Sequence, residues 1–84
     1  MACYNIMAVL VNHRSKNASD VQETLTKHGC NIKMRLGLHE AENVCSEEGL
    51  IILQLSDEKE AKVLEKELNE IPGVNAKTIE LCSD

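Results

Sequence analysis

The chain has no tryptophan, no phenylalanine and a single tyrosine, Tyr4. Its strands therefore lack the aromatic platforms on which RNA-binding sheets stack unpaired bases. A basic excess is missing too. Nine Lys and Arg stand against fourteen Asp and Glu, a net charge of −5. A domain of that sign has no bulk attraction for phosphate backbones or anionic membranes. Long apolar runs are absent: the longest are Ile6-Met7-Ala8-Val9-Leu10-Val11 and Leu50-Ile51-Ile52-Leu53. Both fall far below the roughly 20 residues of a bilayer-spanning helix. No basic start leads into an apolar stretch and a small-residue cleavage site, so no secretory signal is read and a cytoplasmic location is expected. Nor is there a C-x-x-C pair or a Gly-rich phosphate loop. The cysteines Cys3, Cys30, Cys45 and Cys82 are widely spaced, and in a reducing compartment they are expected as free thiols. No cofactor and no complete metal site is expected.

What remains is an aliphatic domain of 84 residues, 43% of them apolar. A chain of this length buries roughly 60–65% of its unfolded surface, enough for one core, so residues 1–84 are read as a single domain. Hydrophobic spacing divides it. Residues 4–11 form a continuous apolar strand, and residues 12–17 are polar and turn-like. From Ala18 the period becomes helical, with Asn17 as N-cap, Ala18, Val21 and Leu25 on one stripe, and Gly29 past the end. Ile32, Met34, Leu36 and Leu38 alternate with Asn31, Lys33, Arg35 and Gly37, the pattern of a half-buried strand. After an acidic loop over residues 39–48, Gly49 opens another apolar strand. Asp57 and Glu60 then stand at capping-box spacing ahead of Ala61, Leu64, Leu68 and Ile71, a single helical stripe. Glu58 and Lys62 have the spacing of a stabilising pair. Pro72-Gly73 ends the helix, and residues 74–81 make a last strand.

Strand, helix, strand, strand, helix, strand is the split βαβ order of the α+β class: a ferredoxin-like βαββαβ sandwich with two helices on one face of a four-stranded antiparallel sheet. The first and third strands are central in that order, and both are apolar on both faces. Since helices cover one face only, Met7, Val9, Val11, Leu50 and Ile52, or their alternates, line the other. An apolar patch of that kind marks an interface, so a homodimer or a dimer of dimers is expected.

Candidate functional residues lie in two places. Asn12, His13 and Arg14 precede the first helix, whose free N–H groups and a nearby guanidinium suit a carboxylate or phosphate. Arg35 and Gly37, with Lys33, offer a small anion-accepting surface on an edge strand. Neither place holds a Ser/His/Asp arrangement, and no enzymatic activity is expected. A second reading is a metal or redox sensor using His39 and Cys45 with thiols from other chains; the two residues flank the acidic loop and are credible ligands for soft or borderline metals. The sensing domain of nickel-responsive regulators resembles this chain in element order and builds its metal site from a His and a Cys so placed. His13 or His28 of another subunit would have to complete the set.

Two further resemblances bear on function. Val11-Asn12-His13-Arg14 leading into Ala18, Val21, Leu25 and His28-Gly29-Cys30-Asn31-Ile32 resembles the opening of an ACT domain, a regulatory module that binds small effectors between subunits. Closer and longer is the similarity to the iron-only hydrogenase system regulators, stand-alone ACT-like proteins of about this length. It is carried by Met34-Arg35-Leu36-Gly37-Leu38, by Gly49-Leu50-Ile51-Ile52, and by Leu64, Leu68 and Ile71-Pro72-Gly73-Val74 with Lys77. The resemblance implies an oligomeric regulator that takes a small-molecule effector, with a protein partner reading its state.

Charge is unevenly spread: residues 1–39 carry +3 and residues 40–84 carry −8. Such a dipolar surface suits contacts between proteins better than a nucleic-acid groove. No gel retardation of duplex DNA is expected near physiological salt, and a salt-sensitive shift there would refute this exclusion.

Overall fold

Three segments, residues 2–12, 14–38 and 48–83, are described by the computed structural model, with the backbone alone at residues 14–16 and 38. In chain order the elements are β1 (Cys3–Val11), α1 (Arg14–Lys27), a 3-10 turn (Gly29–Asn31), β2 (Ile32–Leu38), β3 (Gly49–Leu55), α2 (Glu58–Asn69) and β4 (Val74–Cys82). The strands form one antiparallel sheet in the order β2-β3-β1-β4. This is the ferredoxin-like fold, with β1 and β3 in the centre as expected. No helix among the described residues is long and apolar enough to cross a membrane.

Pairing register decides which residues meet the helices. Val9 pairs with Ile51 on one side and Ala76 on the other, and Met7 pairs with Leu53 and Thr78. Met7, Val9, Val11, Leu53, Leu55, Val74 and Ala76 are therefore buried on the helix side, against Val21 and Leu25 of α1 and Ala61, Leu64 and Leu68 of α2. The open face takes the alternates: Tyr4, Ile6, Ala8 and Leu10 of β1 stand beside Leu50 and Ile52 of β3. Met7, Val9 and Val11 thus do not share a face with Leu50 and Ile52. An antiparallel register of odd with odd residues places the two sets on opposite sides.

Strand β2 departs from simple alternation. Ile32 pairs with Leu55 and Met34 with Gln54, so Lys33 is the extra residue of a bulge. The bulge turns Ile32 toward the core and leaves Met34 and Leu36 on the open face, each about half exposed. The apolar stripe of β2 consequently faces away from the helices.

Helix α1 begins three residues before the expected Asn17 cap. Asn17 is instead buried inside it, in line with Val21, Leu25 and His28, while Ala18 is exposed. In α2 the cap is as expected: the Glu60 N–H donates to Asp57 Oδ1 at 2.7 Å. The Glu60 carboxylate does not fold back to complete a capping box. It accepts from Asn31 Nδ2 at 3.3 Å, while Ser56 donates from its backbone N–H to Asn31 O and from its hydroxyl to Asn31 Oδ1. Asn31 thereby ties the end of α1 to the start of α2. Glu58 and Lys62 form no ion pair among the described residues.

The middle of the outer edge of β4 is bonded to side chains of α2. Asn69 accepts from Ala76 N at 2.7 Å and donates back to Ala76 O at 3.0 Å, and Thr78 N donates to Glu65 Oε2 at 2.8 Å. Residue 76 thus points both backbone groups outward, so it forms a narrow, non-hydrogen-bonded pair with Val9. Cys82 shares that parity and lies opposite Cys3, with Cα atoms 4.0 Å apart. The two are joined as a disulfide. The expected pair of separate thiols is corrected by this register, which no spacing in the sequence reveals.

Glu67 of α2 accepts from His28 Nε2 at 3.1 Å and Lys27 Nζ at 3.2 Å, linking the end of α1 to α2. The His28 hydrogen bond, then that of Lys27, holds the Glu67 carboxyl below its ordinary 4.5. A carboxylate favoured in the fold contributes stability that is present at neutral pH and lost as pH falls through the folded pKa. Wild type should therefore exceed Glu67→Gln in urea midpoint at pH 7, with the gap closing in acid below 4.5. A gap undiminished at about pH 3 would exclude this account.

Candidate functional site

The junction of β1 and α1 is built from the backbone of Asn12. Its N–H donates to Gly73 O at 2.8 Å, and its carbonyl accepts from Asn17 Nδ2 at 2.8 Å. Gly73 has φ +84, in the region that favours glycine. A Cβ there would sit 2.9 Å from Asn17 Nδ2 and 3.4 Å from Asn12 O. The turn after α2 is thus packed tightly onto the strand–helix junction, and the buried Asn17 amide is the bracket between them. Arg14 is the first residue of α1, and only its backbone is described; His13, His39 and Cys45 lie outside the described residues.

Arg35 and Gly37 form a separate location. Arg35 Nη1 donates to Gln22 Oε1 of α1 at 3.0 Å, in an exposed position. A Cβ at Gly37 would meet nothing within 4 Å. The irregularity of this strand lies at Lys33, in the bulge. Lys33 consequently does not continue the alternation that would set it beside Arg35.

Register also measures the distance between the two locations. Arg35 pairs with Leu53, which pairs with Met7, five residues before Asn12. At about 3.3 Å per residue, that is roughly 16 Å along the strand, with two strand spacings of about 4.8 Å across. Within one protomer the sequence-predicted residues therefore make two surfaces. Sequence reasoning missed Asn17 and Gly73, which hold the first surface in place. Its only signals were a Pro-Gly stop and a polar residue that propensity favours as a cap.

No family model matches the chain, and no curated protein matches it. Solved structures do. An uncharacterized protein from Thermotoga maritima superposes with a TM-score of 0.80 and 28% sequence identity, over 96% of this chain and 100% of that one. CPII from Thiomonas intermedia K12, bound to ADP, AMP and acetate, matches with a TM-score of 0.54 and 11% identity, over 96% of this chain and 90% of its own. The second likeness is one of fold.

Replacing Gly73 tests the bracket. Gly73→Ala should cost about 1–3 kcal/mol in urea unfolding, from positive φ and the crowded Cβ. In an Asn17→Ala background the cost should be smaller, because the nearest atom is gone. Full additivity of the two changes would show that the close approach does not matter.

Proposed function

We propose that the protein is a homo-oligomeric regulatory module of the kind represented by the iron-only hydrogenase system regulators, cytoplasmic and without chemistry of its own. Subunits meet through the open face of the sheet, and a small anionic effector binds at the subunit boundary. The observation that carries this reading is the apolar face left exposed among the described residues. Tyr4, Leu10, Met34, Leu36, Ile79 and Leu81 are exposed across β1, β2 and β4, with the partly buried Ile6, Leu50 and Ile52 among them. Gln54, Lys77 and Asn75 supply its polar positions. The sheet projects roughly 500 Å² on that side, and accessible surface exceeds projection. Two copies face to face therefore approach the about 800 Å² per partner of a specific interface.

The edges support the face as the interface. Asn69 takes the outward N–H and carbonyl of residue 76, and Glu65 accepts from the N–H of Thr78. The β2 edge carries Lys33 and Arg35, which would oppose their own copies across a two-fold axis. For the effector, the reading takes Asn12, His13 and Arg14 where they meet a neighbouring chain; Arg35 and Gly37, on the helix side of β2, are a separate anion-accepting surface. Free N–H groups at the start of α1 suit a carboxylate or phosphate. The anions bound to CPII, AMP, ADP and acetate, are the first probes.

Sedimentation at micromolar concentration should show a dimer or tetramer of the 9.3 kDa chain. Leu36→Lys with Ile79→Lys should return it to monomer with an unchanged circular dichroism spectrum. A wild type that is only monomeric would overturn the assembly. In a thermal-shift screen, an effector at 100 times its Kd should add about 2.7 kcal/mol, lost in Arg14→Ala. Stabilisation by nickel, zinc or iron that is lost in Cys45→Ser would favour the metal-sensor reading of His39 and Cys45 instead.

A further inference from the structure

Among the described residues, one group of side chains brings soft and hard donors together. Cys3 Sγ, Cys82 Sγ and a Glu80 carboxylate oxygen lie within 4.8 Å of one another, and all three residues are exposed. The β1–β4 ladder makes the group: Cys3 faces Cys82 and Asn5 faces Glu80, so four side chains stand as a block on one side of the sheet. The fourth member is unusual. Asn5 is 6% exposed, and its Oδ1 has no hydrogen-bond partner. A buried carbonyl oxygen left without a donor costs free energy, and a donor brought in by a ligand would satisfy it.

We propose that this block is a redox-gated site for one divalent cation of the zinc class. With the disulfide closed, the sulfurs are unavailable. With it open, the Cys3 and Cys82 thiolates and the Glu80 carboxylate supply three ligands, and a water in the fourth position donates to Asn5 Oδ1. Three protein ligands and one water are an ordinary zinc set. A staple that only restrained the unfolded chain would need neither Glu80 nor Asn5.

Opening requires a dithiol reductant. Its thiolate attacks one sulfur of the Cys3–Cys82 bond, which breaks as a mixed disulfide forms. The second thiol of the reductant then displaces the remaining protein sulfur. Two electrons and two protons pass to Cys3 and Cys82, and the reductant leaves as its own disulfide. Both cysteines are exposed, so the attack is accessible. The cation then displaces the thiol protons. In a tetrahedral site with sulfur about 2.3 Å from the metal, the two sulfurs are about 3.8 Å apart. The ladder already holds the two Cα atoms 4.0 Å apart, so side-chain rotation alone makes the change. The site lies on the helix side of the ladder at its terminal end, and its test is independent of the open-face interface.

The probe is cobalt(II), titrated into the reduced, metal-free chain. Expected is one cobalt per chain with thiolate-to-cobalt absorption in the near ultraviolet, absent from the disulfide form. The band should vanish in Cys3→Ser and in Cys82→Ser. It should persist in Cys30→Ser and Cys45→Ser, and weaken in affinity at least ~10-fold in Glu80→Gln. Circular dichroism checks that each variant is folded. A reduced wild type with no thiolate–cobalt band would overturn the proposal. So would a band that survives the loss of both Cys3 and Cys82.

Discussion

Pairing of β1 with both of its neighbours is the constraint on which the other features rest. Val9 sits between Ile51 and Ala76, and a slip of one residue on either side would exchange every inward side chain for an outward one. With the register as it stands, the helices cover Met7, Val9 and Leu53, and the alternates are left to the open face. The same parity turns the backbone of residue 76 outward to Asn69 and brings Cys82 opposite Cys3. Core, open face, edge and disulfide are thus consequences of one alignment.

Short polar side chains then connect the helices to that sheet. Asn17 holds the Asn12 carbonyl, and the Asn12 N–H joins that connection to Gly73. Asn31 joins the end of α1 to the start of α2 through Ser56 and Glu60. Asn69 completes β4 with a pair of hydrogen bonds a neighbouring strand would otherwise make. An asparagine amide offers both donor and acceptor, so one side chain can imitate a missing peptide group. In a chain with no tryptophan or phenylalanine, these brackets fix angles that large rings would set by shape.

Much of the fold was legible because its signals are periodic. The stripe Ala61, Leu64 and Leu68 and the cap Asp57 are local patterns, and the structure reproduces them. Element order gave the topology. The start of α1 is not legible in the sequence because Asn17 in isolation is a good cap, and only the turn at Gly73 shows why it is buried. The bulge at Lys33 was hidden because alternation continues through it in the sequence while the register does not. The pairing of Cys3 with Cys82 depends on strands 79 residues apart, a relation no local pattern carries. Of the proposed effector residues, Asn12 has a visible structural role, and Arg35 lies two strands away from it.

The bonded middle of the β4 edge bears on how copies of this chain can accumulate. Growth into an open-ended fibre by strand addition requires two different free edges, so that each new copy leaves one exposed. Here Asn69 and Glu65 occupy the central stretch of one of them. An encounter along the middle of β4 finds backbone groups already bonded, and one along β2 meets Lys33 and Arg35. Stacking strand upon strand is thereby hindered at both edges of the sheet.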